Sequence, residues 1–135
     1  MRKYGVDGAA LWTRQFGTGF LDEGRAAAVD ATGVYVGGIL GSDGVLRKYD
    51  QNGMELWSRT VDSGSGDQVR GVAVHELGIY VVGLTTGELP GPAAGNADVF
   101  IRKYDASGAI VWTRQFGTSA ADQANAVAVD ATGVY

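Results

Sequence analysis

Three polar clusters contain the residue types in this sequence that are best suited to binding a ligand. Each cluster pairs an aspartate with an arginine or an asparagine a few residues further on: Asp22 with Arg25, Asp67 with Arg70, and Asp122 with Asn125. Converging carboxylates with a nearby arginine suit either a hard cation or a hydroxyl-rich ligand. If the fold brings the clusters together around a channel mouth, they predict a site for a small polar or carbohydrate ligand.

The clusters also have a purely structural interpretation, because they occupy equivalent positions of a repeat. Each aspartate then caps its own loop or pairs with a neighbouring arginine. The residue beside each aspartate belongs to the same repeated pattern, as Glu23, Gln68 or Gln123. A position that every copy of a repeat needs has a structural role first, so both interpretations stay open.

The remaining polar residues do not form a recognisable catalytic set. His75 stands where two other copies have Asp30 and Asp130, so we interpret it as a turn residue. The chain contains no cysteine, which excludes thiol catalysis and cysteine metal sites. Glycine-rich segments such as 64–66 lack the lysine of a phosphate-binding loop. The sequence therefore predicts no catalytic residue, no metal site and no cofactor.

The net charge of the chain argues against some classes of binding partner. A formal net charge of −4 argues against a surface for nucleic acid or for an anionic membrane. No apolar run approaches the length of a membrane span, and the residues 1–4 do not resemble a signal peptide. We expect neither a nucleic-acid nor a membrane partner, and the compartment stays open.

The clusters lie in a sequence that repeats itself nearly three times. Arg-Lys-Tyr recurs at 2–4, 47–49 and 102–104, and each copy continues to a tryptophan. The chain has 22 glycines and only 2 prolines, and it is rich in Val, Tyr and Thr, so short strands joined by tight turns are expected and almost no helix. A repeat of this kind predicts an architecture before it predicts a function.

The most complete copy predicts a four-stranded antiparallel meander. Its strand-like runs are 72–75, 79–84, 99–104 and 110–116. The innermost run is built of small residues in every copy, whereas the bulky Trp12, Trp57 and Trp112 fall on the fourth run. A wedge that is small inside and large outside, repeated every roughly 45 to 55 residues, predicts an all-β fold of the β-propeller type.

Turn signals connect these runs. Aspartates before a glycine accept backbone hydrogen bonds in turns, which is the role predicted for Asp30, Asp50, Asp105 and Asp130. If the turn 105–108 sets the register, Arg102 faces Trp112 across its hairpin and makes a cation–π contact. The equivalent arginines and tryptophans of the other copies are expected to pair in the same way.

Three phrases carry a resemblance to a known family. The segments 98–108 (DVFIRKYDASG), 111–118 (VWTRQFGT) and 126–135 (AVAVDATGVY) resemble the bacterial SBBP-type β-propeller repeat. The resemblance implies a propeller, often in exported or cell-surface proteins, with no common catalytic residues. Two features depart from the family pattern: the usual asparagine before Val-Tyr is missing, and the first copy is shorter than the second.

The arrangement of strands predicts how the chain assembles. Residues 1–20 correspond to strands three and four of a split blade, 21–63 and 64–118 to two whole blades, and 119–135 to strands one and two of another split blade. An open arc of three wedges leaves strand edges unpaired. If the split blades complete each other between copies, a twofold pair has six blades, within the usual range of about four to eight. We therefore predict a homodimeric six-bladed propeller.

The sequence is compatible with three hypotheses about function. The leading hypothesis is a non-catalytic propeller module, either a scaffold or a binder that uses its channel-mouth face. The alternative is a propeller enzyme of the lyase or glycosidase type, which needs an asymmetric acid/base pair that the repeated positions do not provide. The third is a fragment or an engineered repeat protein with no evolved ligand.

Overall fold

The computed structural model of the protein describes residues 1–91 and 93–135, and Pro92 lies outside them. These residues form strands and turns without a helix, so the all-β prediction is confirmed. Accordingly, the described chain has no helix long and apolar enough to cross a membrane. The ten strands are β1 (Arg2–Tyr4), β2 (Ala10–Thr13), β3 (Asp22–Asp30), β4 (Gly33–Leu40), β5 (Asp43–Tyr49), β6 (Glu55–Val61), β7 (Asp67–His75), β8 (Gly78–Thr85), β9 (Asp98–Tyr104) and β10 (Ile110–Phe116).

The strands form three antiparallel sheets. β1 pairs with β2 in a first hairpin, and two full sheets follow in the orders β3-β4-β5-β6 and β7-β8-β9-β10. In both full sheets, strands that are adjacent in sequence are adjacent in space, as the predicted meander requires. β4 and β8 are buried along most of their length, because they are covered on both faces. The core lies between the two full sheets and includes Tyr35, Val69 and Phe100.

Aspartate turns join the strands as the sequence predicts. Asp30 Oδ1 accepts the backbone N–H groups of Thr32 at 2.7 Å and Gly33 at 3.0 Å. Asp50, Asp105 and Asp130 likewise accept the backbone N–H of the residue two positions further on. The turn glycines at 53 and 108 have φ values of +79°, a conformation that glycine adopts without a steric penalty. The turn role of all four aspartates is therefore confirmed.

The inner strand of the second full sheet packs closely on the first full sheet. β7 lies against β3 and β4, and Gly37 of β4 faces Val69 and Val72. A Cβ atom on Gly37 would come within 2.5 Å of Val69 Cγ1 and 2.7 Å of Val72 Cγ2. The absence of a side chain at Gly37 is thus what allows the two sheets to approach.

The outer strands interlock through a tryptophan and an arginine. Arg59 of β6 donates from Nε to the carbonyl oxygen of Gly108 at 2.7 Å and from a terminal nitrogen to that of Ser107 at 3.0 Å. A Cβ atom on Gly108 would lie 3.1 Å from Cδ2 of Trp57, so the turn of the second sheet rests on that indole. Trp12 of β2 and Arg14, which directly follows that strand, contact the turn at Gly53 in the same way. The first hairpin therefore packs on the first full sheet through contacts equivalent to those between the two full sheets.

The expected pairing of Arg102 with Trp112 is wrong. A register shift between Ile110 and Trp112 places Trp112 opposite Lys103, and Thr113 opposite Arg102. Arg102 instead donates from Nε to Thr113 Oγ1 at 2.8 Å. The cation over the Trp112 ring belongs to Arg114 of the same strand, 5.9 Å from the ring centroid. One extra residue in a bulge moves every later pair by one position.

The segment 119–135 begins a further hairpin. Ala128 and Tyr135 exchange both backbone hydrogen bonds at 2.9 Å, and Val129 forms a bridge with Val134. Between residues 119 and 135, all of which are described, the pairing is too short to form a strand. Ala126 packs on Gly71 of β7, which places this hairpin beside the second full sheet. We call residues 126–135 the last hairpin.

Candidate functional site

The three aspartates of the polar clusters are engaged by their own loops. The backbone N–H of Ser63 donates to Asp67 Oδ2 at 2.8 Å, and the Ser63 hydroxyl donates to the same oxygen at 2.9 Å. Thr118 donates to Asp122 at 2.6 Å and 2.8 Å, and Thr18 makes the equivalent bonds to Asp22. The hydrogen bond from the Thr118 backbone, followed by that from its hydroxyl, lowers the pKa of Asp122 below its ordinary value. These carboxylates therefore close the loops that lead into β3, β7 and the last hairpin.

The arginines and the asparagine form a separate polar row. Arg25 binds Glu23 Oε2 at 2.8 Å and Gln68 Oε1 at 2.8 Å. Arg70 donates to the same Gln68 oxygen at 3.0 Å and to Asn125 Oδ1 at 2.9 Å. The row therefore runs across three consecutive inner segments, from β3 through β7 to residue 125. Its members are Glu23, Arg25, Gln68, Arg70 and Asn125.

A β-bulge at each arginine places it in this row. In the pairing of β3 with β4, Gly24 faces Gly38 and Ala26 faces Gly37, so Arg25 has no partner of its own. The same shift leaves Arg70 unpaired between β7 and β8. Bulges direct a side chain away from the regular alternation of a strand. Here both bulges turn an arginine towards the neighbouring inner strand.

Two glycines make these bulges possible. A Cβ atom on Gly38 would overlap the carbonyl oxygen of Glu23, and one on Gly83 would overlap that of Gln68. Any larger residue at these positions has to displace the backbone that precedes the bulged arginine. The glycine requirement thus links the local sequence of β4 and β8 to the position of Arg25 and Arg70.

The row carries a surplus of positive charge. Its ionised members are the two guanidinium groups and the single carboxylate of Glu23. Desolvation by partial burial, and then the nearby charge of Arg25, lowers the pKa of Arg70, against the opposing effect of Glu23. Arginine stays protonated at neutral pH even so. A surface of this kind offers hydrogen-bond donors and positive charge to an anionic or hydroxyl-rich ligand.

The structure therefore divides the six residues that the sequence places at the channel mouth. Arg25, Arg70 and Asn125 lie together, whereas the three aspartates lie in the loops before them. Glu23 and Gln68 belong to the row although the sequence marks them only as neighbours of an aspartate. The sequence signal for including them is that each lies two residues before an arginine at the same position of the repeat.

The described residues offer little else that resembles a reaction centre. Within this part of the chain, no group of three or more His, Cys, Asp or Glu side chains is placed to hold a metal ion. The Nδ1 atom of His75 accepts the backbone N–H of Leu77 at 3.3 Å, which is a turn contact. A pocket of about 460 Å³ lies between the end of β2 and the inner face of the first full sheet. Its lining combines apolar groups, among them Phe16 and Ala27, with Asp22, Glu23 and Arg25 of the first polar cluster.

Comparison with known proteins does not assign the chain to a group. The sequence matches no protein-family model and no curated protein.

Proposed function

We propose that the protein is a non-catalytic β-propeller module that completes its ring by assembling with a second copy of itself. One observation carries this proposal: equivalent tyrosines are buried in the full sheets and exposed in the two incomplete ones. Tyr35 is 1% exposed and its counterpart Tyr135 is 71% exposed, while Tyr104 is 0% exposed and its counterpart Tyr4 is 55% exposed. The two exposed tyrosines belong to complementary halves of one sheet.

The packing of the sheets supports the assignment as blades. Each full sheet is a four-stranded meander with small residues on its inner strand, and the inner strands β3 and β7 lie against each other. An arginine and a tryptophan contact the next turn both between the first hairpin and the first full sheet and between the two full sheets. The last hairpin contacts the second full sheet through Ala126, which packs on Gly71. Propellers repeat such sheets around an axis, typically with about four to eight blades. The membership of the SBBP-type family stays a prediction that rests on the sequence phrases.

The number of blades follows from how the halves combine. The first hairpin supplies strands three and four of a blade, and the last hairpin supplies the start of strands one and two. Two copies joined at both ends make two composite blades, and each copy adds two complete ones. A twofold ring of this kind has six blades and leaves no open end.

The mass of the particle in solution tests the assembly. Multi-angle light scattering at micromolar concentration is expected to give the mass of two chains, where one chain is 14.0 kDa. A well-folded particle with the mass of one chain contradicts the proposal. A particle of three or more chains contradicts the six-bladed ring.

The polar row is the proposed contact face for a small polar or carbohydrate ligand. Its guanidinium groups favour ligands with carboxylate or hydroxyl oxygens. A glycan array that includes acidic sugars tests this face, with Arg70→Ala as the variant expected to lose binding. Glu76→Ala, at an exposed turn, is the matched control and is expected to bind like the unmodified chain. A ligand that binds both variants equally contacts another surface.

A further inference from the structure

A lysine, a tyrosine and a tryptophan form one cluster in each full sheet. Lys48 Nζ lies 5.0 Å from the ring centroid of Tyr35, whose centroid is 6.0 Å from that of Trp57. In the second full sheet the same cluster joins Lys103, Tyr80 and Trp112, with distances of 5.4 Å and 6.2 Å. The tyrosine comes from the second strand, and the lysine and tryptophan come from the third and fourth.

The third copy of this cluster is divided. Lys3 and Trp12 lie on the first hairpin, where both donate to the carbonyl oxygen of Gln51, at 3.1 Å and 3.0 Å. The matching tyrosine is Tyr135, exposed on the last hairpin. Within one copy, the two hairpins stand at opposite ends of the row of sheets, since each contacts a different full sheet. The cluster therefore needs two copies.

We propose that the last hairpin of one copy pairs with β1 of a second copy, in the register that sets Val134 opposite Tyr4 and Tyr135 opposite Lys3. The register is taken from the full sheets. Val34 faces Tyr49 and Tyr35 faces Lys48 in the first. Ile79 faces Tyr104 and Tyr80 faces Lys103 in the second. This pairing rebuilds the cluster from Tyr135 of one copy and from Lys3 and Trp12 of the other.

The turn contacts point to the same neighbour. The turns at Gly53 and Gly108 rest on Trp12 and Trp57, whereas a Cβ atom on Gly8 would meet no described atom within 4 Å. At the other end, Arg114 donates to the carbonyl of its neighbour Thr113, at 2.9 Å, and to no turn carbonyl of the described residues. A second copy whose β1 joins the last hairpin brings its Gly8 turn over Trp112 and Arg114.

The pocket beside the first full sheet lies on the side where the second copy would dock. Gly24 and Ala27 line it, and they are the counterparts of Val69 and Val72, which pack on Gly37 of the preceding sheet. The preceding sheet at this position would contain the last hairpin of the second copy. The partner hairpin, whose residues 126–135 correspond to 26–35, would therefore lie beside this pocket once the strands pair.

This inference rests on the proposed self-assembly and adds the seam at which it occurs. Cysteine cross-linking tests the register, because the natural chain has no cysteine. Oxidation of the double variant Tyr4→Cys with Val134→Cys is expected to shift the chain from one-chain to two-chain mass under non-reducing denaturation. The matched control is Arg2→Cys with Val134→Cys, which sets the two Cα atoms roughly 8 Å apart, beyond the reach of a disulfide.

A second variant covers the case in which the cysteines disturb folding. Arg114→Ala removes two charge-assisted hydrogen bonds at each seam. We expect it to raise the dissociation constant of the dimer about tenfold per seam, or about a hundredfold for a ring with two seams. Glu76→Ala, at an exposed turn outside the seam, is expected to leave dimerisation unchanged.

The outcomes separate the seam from the size of the ring. Cross-linking of the Tyr4 pair but not of the Arg2 pair supports the seam. A two-chain particle in which both pairs or neither pair cross-link overturns the register and leaves the dimer standing. Register-specific cross-links that yield larger species support the seam and contradict the six-bladed ring. A single-chain particle without cross-links overturns both.

Discussion

The approach of the two full sheets at Gly37 gives a test of the fold that does not depend on assembly. Gly37→Val adds a side chain where a Cβ atom alone would lie 2.5 Å from Val69 Cγ1. Overpacking of a close-packed interior costs about 1–3 kcal/mol, and the removal of a strand glycine returns about 0.5–1 kcal/mol. We therefore expect the variant to lose about 1–2 kcal/mol of unfolding free energy.

The repeat suggests the compensating change. The counterpart of Gly37 is Val82, and the counterpart of the fully buried Val69 is Ala124, so the next interface combines a large residue with a small one. Val69→Ala alone removes two buried methyl groups and is expected to cost about 2 kcal/mol, including the cavity. The double variant Gly37→Val with Val69→Ala recreates the valine–alanine combination of Val82 and Ala124. It should lose only about 1–2 kcal/mol instead of the sum of the two single losses.

Urea unfolding followed by far-ultraviolet circular dichroism at one protein concentration measures this cycle. The expected coupling is favourable by about 2 kcal/mol. Val111→Ala, at an exposed position of β10, is the control that should add independently to Gly37→Val. If the Gly37 and Val69 changes add within about 0.5 kcal/mol, the contact between these residues does not limit the sheet spacing.

Three further variants test the turns and the loop before β9. The hydrogen bond from the Ser107 hydroxyl, and then that from the Ala109 backbone, lowers the pKa of Asp105 below 3.8. The ionised Asp105 therefore stabilises the fold above that pH, and this stabilisation is lost as the pH falls through the pKa of the folded state. Asp105→Asn should lower the melting temperature at pH 7 and differ least from the unmodified chain in strong acid. Gln115 is buried, and its Oε1 accepts the backbone N–H of Leu89 at 2.7 Å. Gln115→Ala should therefore speed hydrogen exchange of the Leu89 amide, whereas Gln15→Ala, at the exposed counterpart position, should not. Equal exchange in both variants would contradict a role of Gln115 in holding the loop at Leu89. His75→Asp introduces the residue that caps the equivalent turns, so its unfolding free energy should stay within about 0.5 kcal/mol of the original, and a larger loss would assign His75 a role beyond the turn.

Much of the fold follows from local sequence. The turn aspartates, the small inner strands and the meander order are all encoded by residues close together in the chain, and the structure confirms them. Register is different, because one bulged residue alters it without changing the apolar pattern. The shift before Trp112 is of this kind, and it is the reason why Arg102 pairs with Thr113.

The polar row is a second case in which a β-bulge changes a contact that the sequence predicts. Asp22 and Arg25 lie close together in sequence, so the sequence alone predicts a shared site. The bulge at Arg25 sends its side chain towards Gln68 of the next sheet, while Asp22 stays with the loop behind it. The glycine at position 38, which the bulge requires, was the available signal. The spacing of residues within one repeat does not predict which side chains will contact each other between repeats.

Assembly and the candidate ligand face are physically coupled in the proposed ring. Residue 125 of one copy contacts Arg70 of the sheet before it, and the next inner strand in the ring is β3 of the second copy, which contains Glu23. The two polar rows then meet head to tail and enclose the axis. Because each row contributes two guanidinium groups and one carboxylate, the closed ring keeps a positive excess at its mouth, although the chain as a whole has a net charge of −4. Such a mouth favours an anionic or hydroxyl-rich ligand over the hard cation that the aspartates alone suggest, because each aspartate already accepts hydrogen bonds from its own loop.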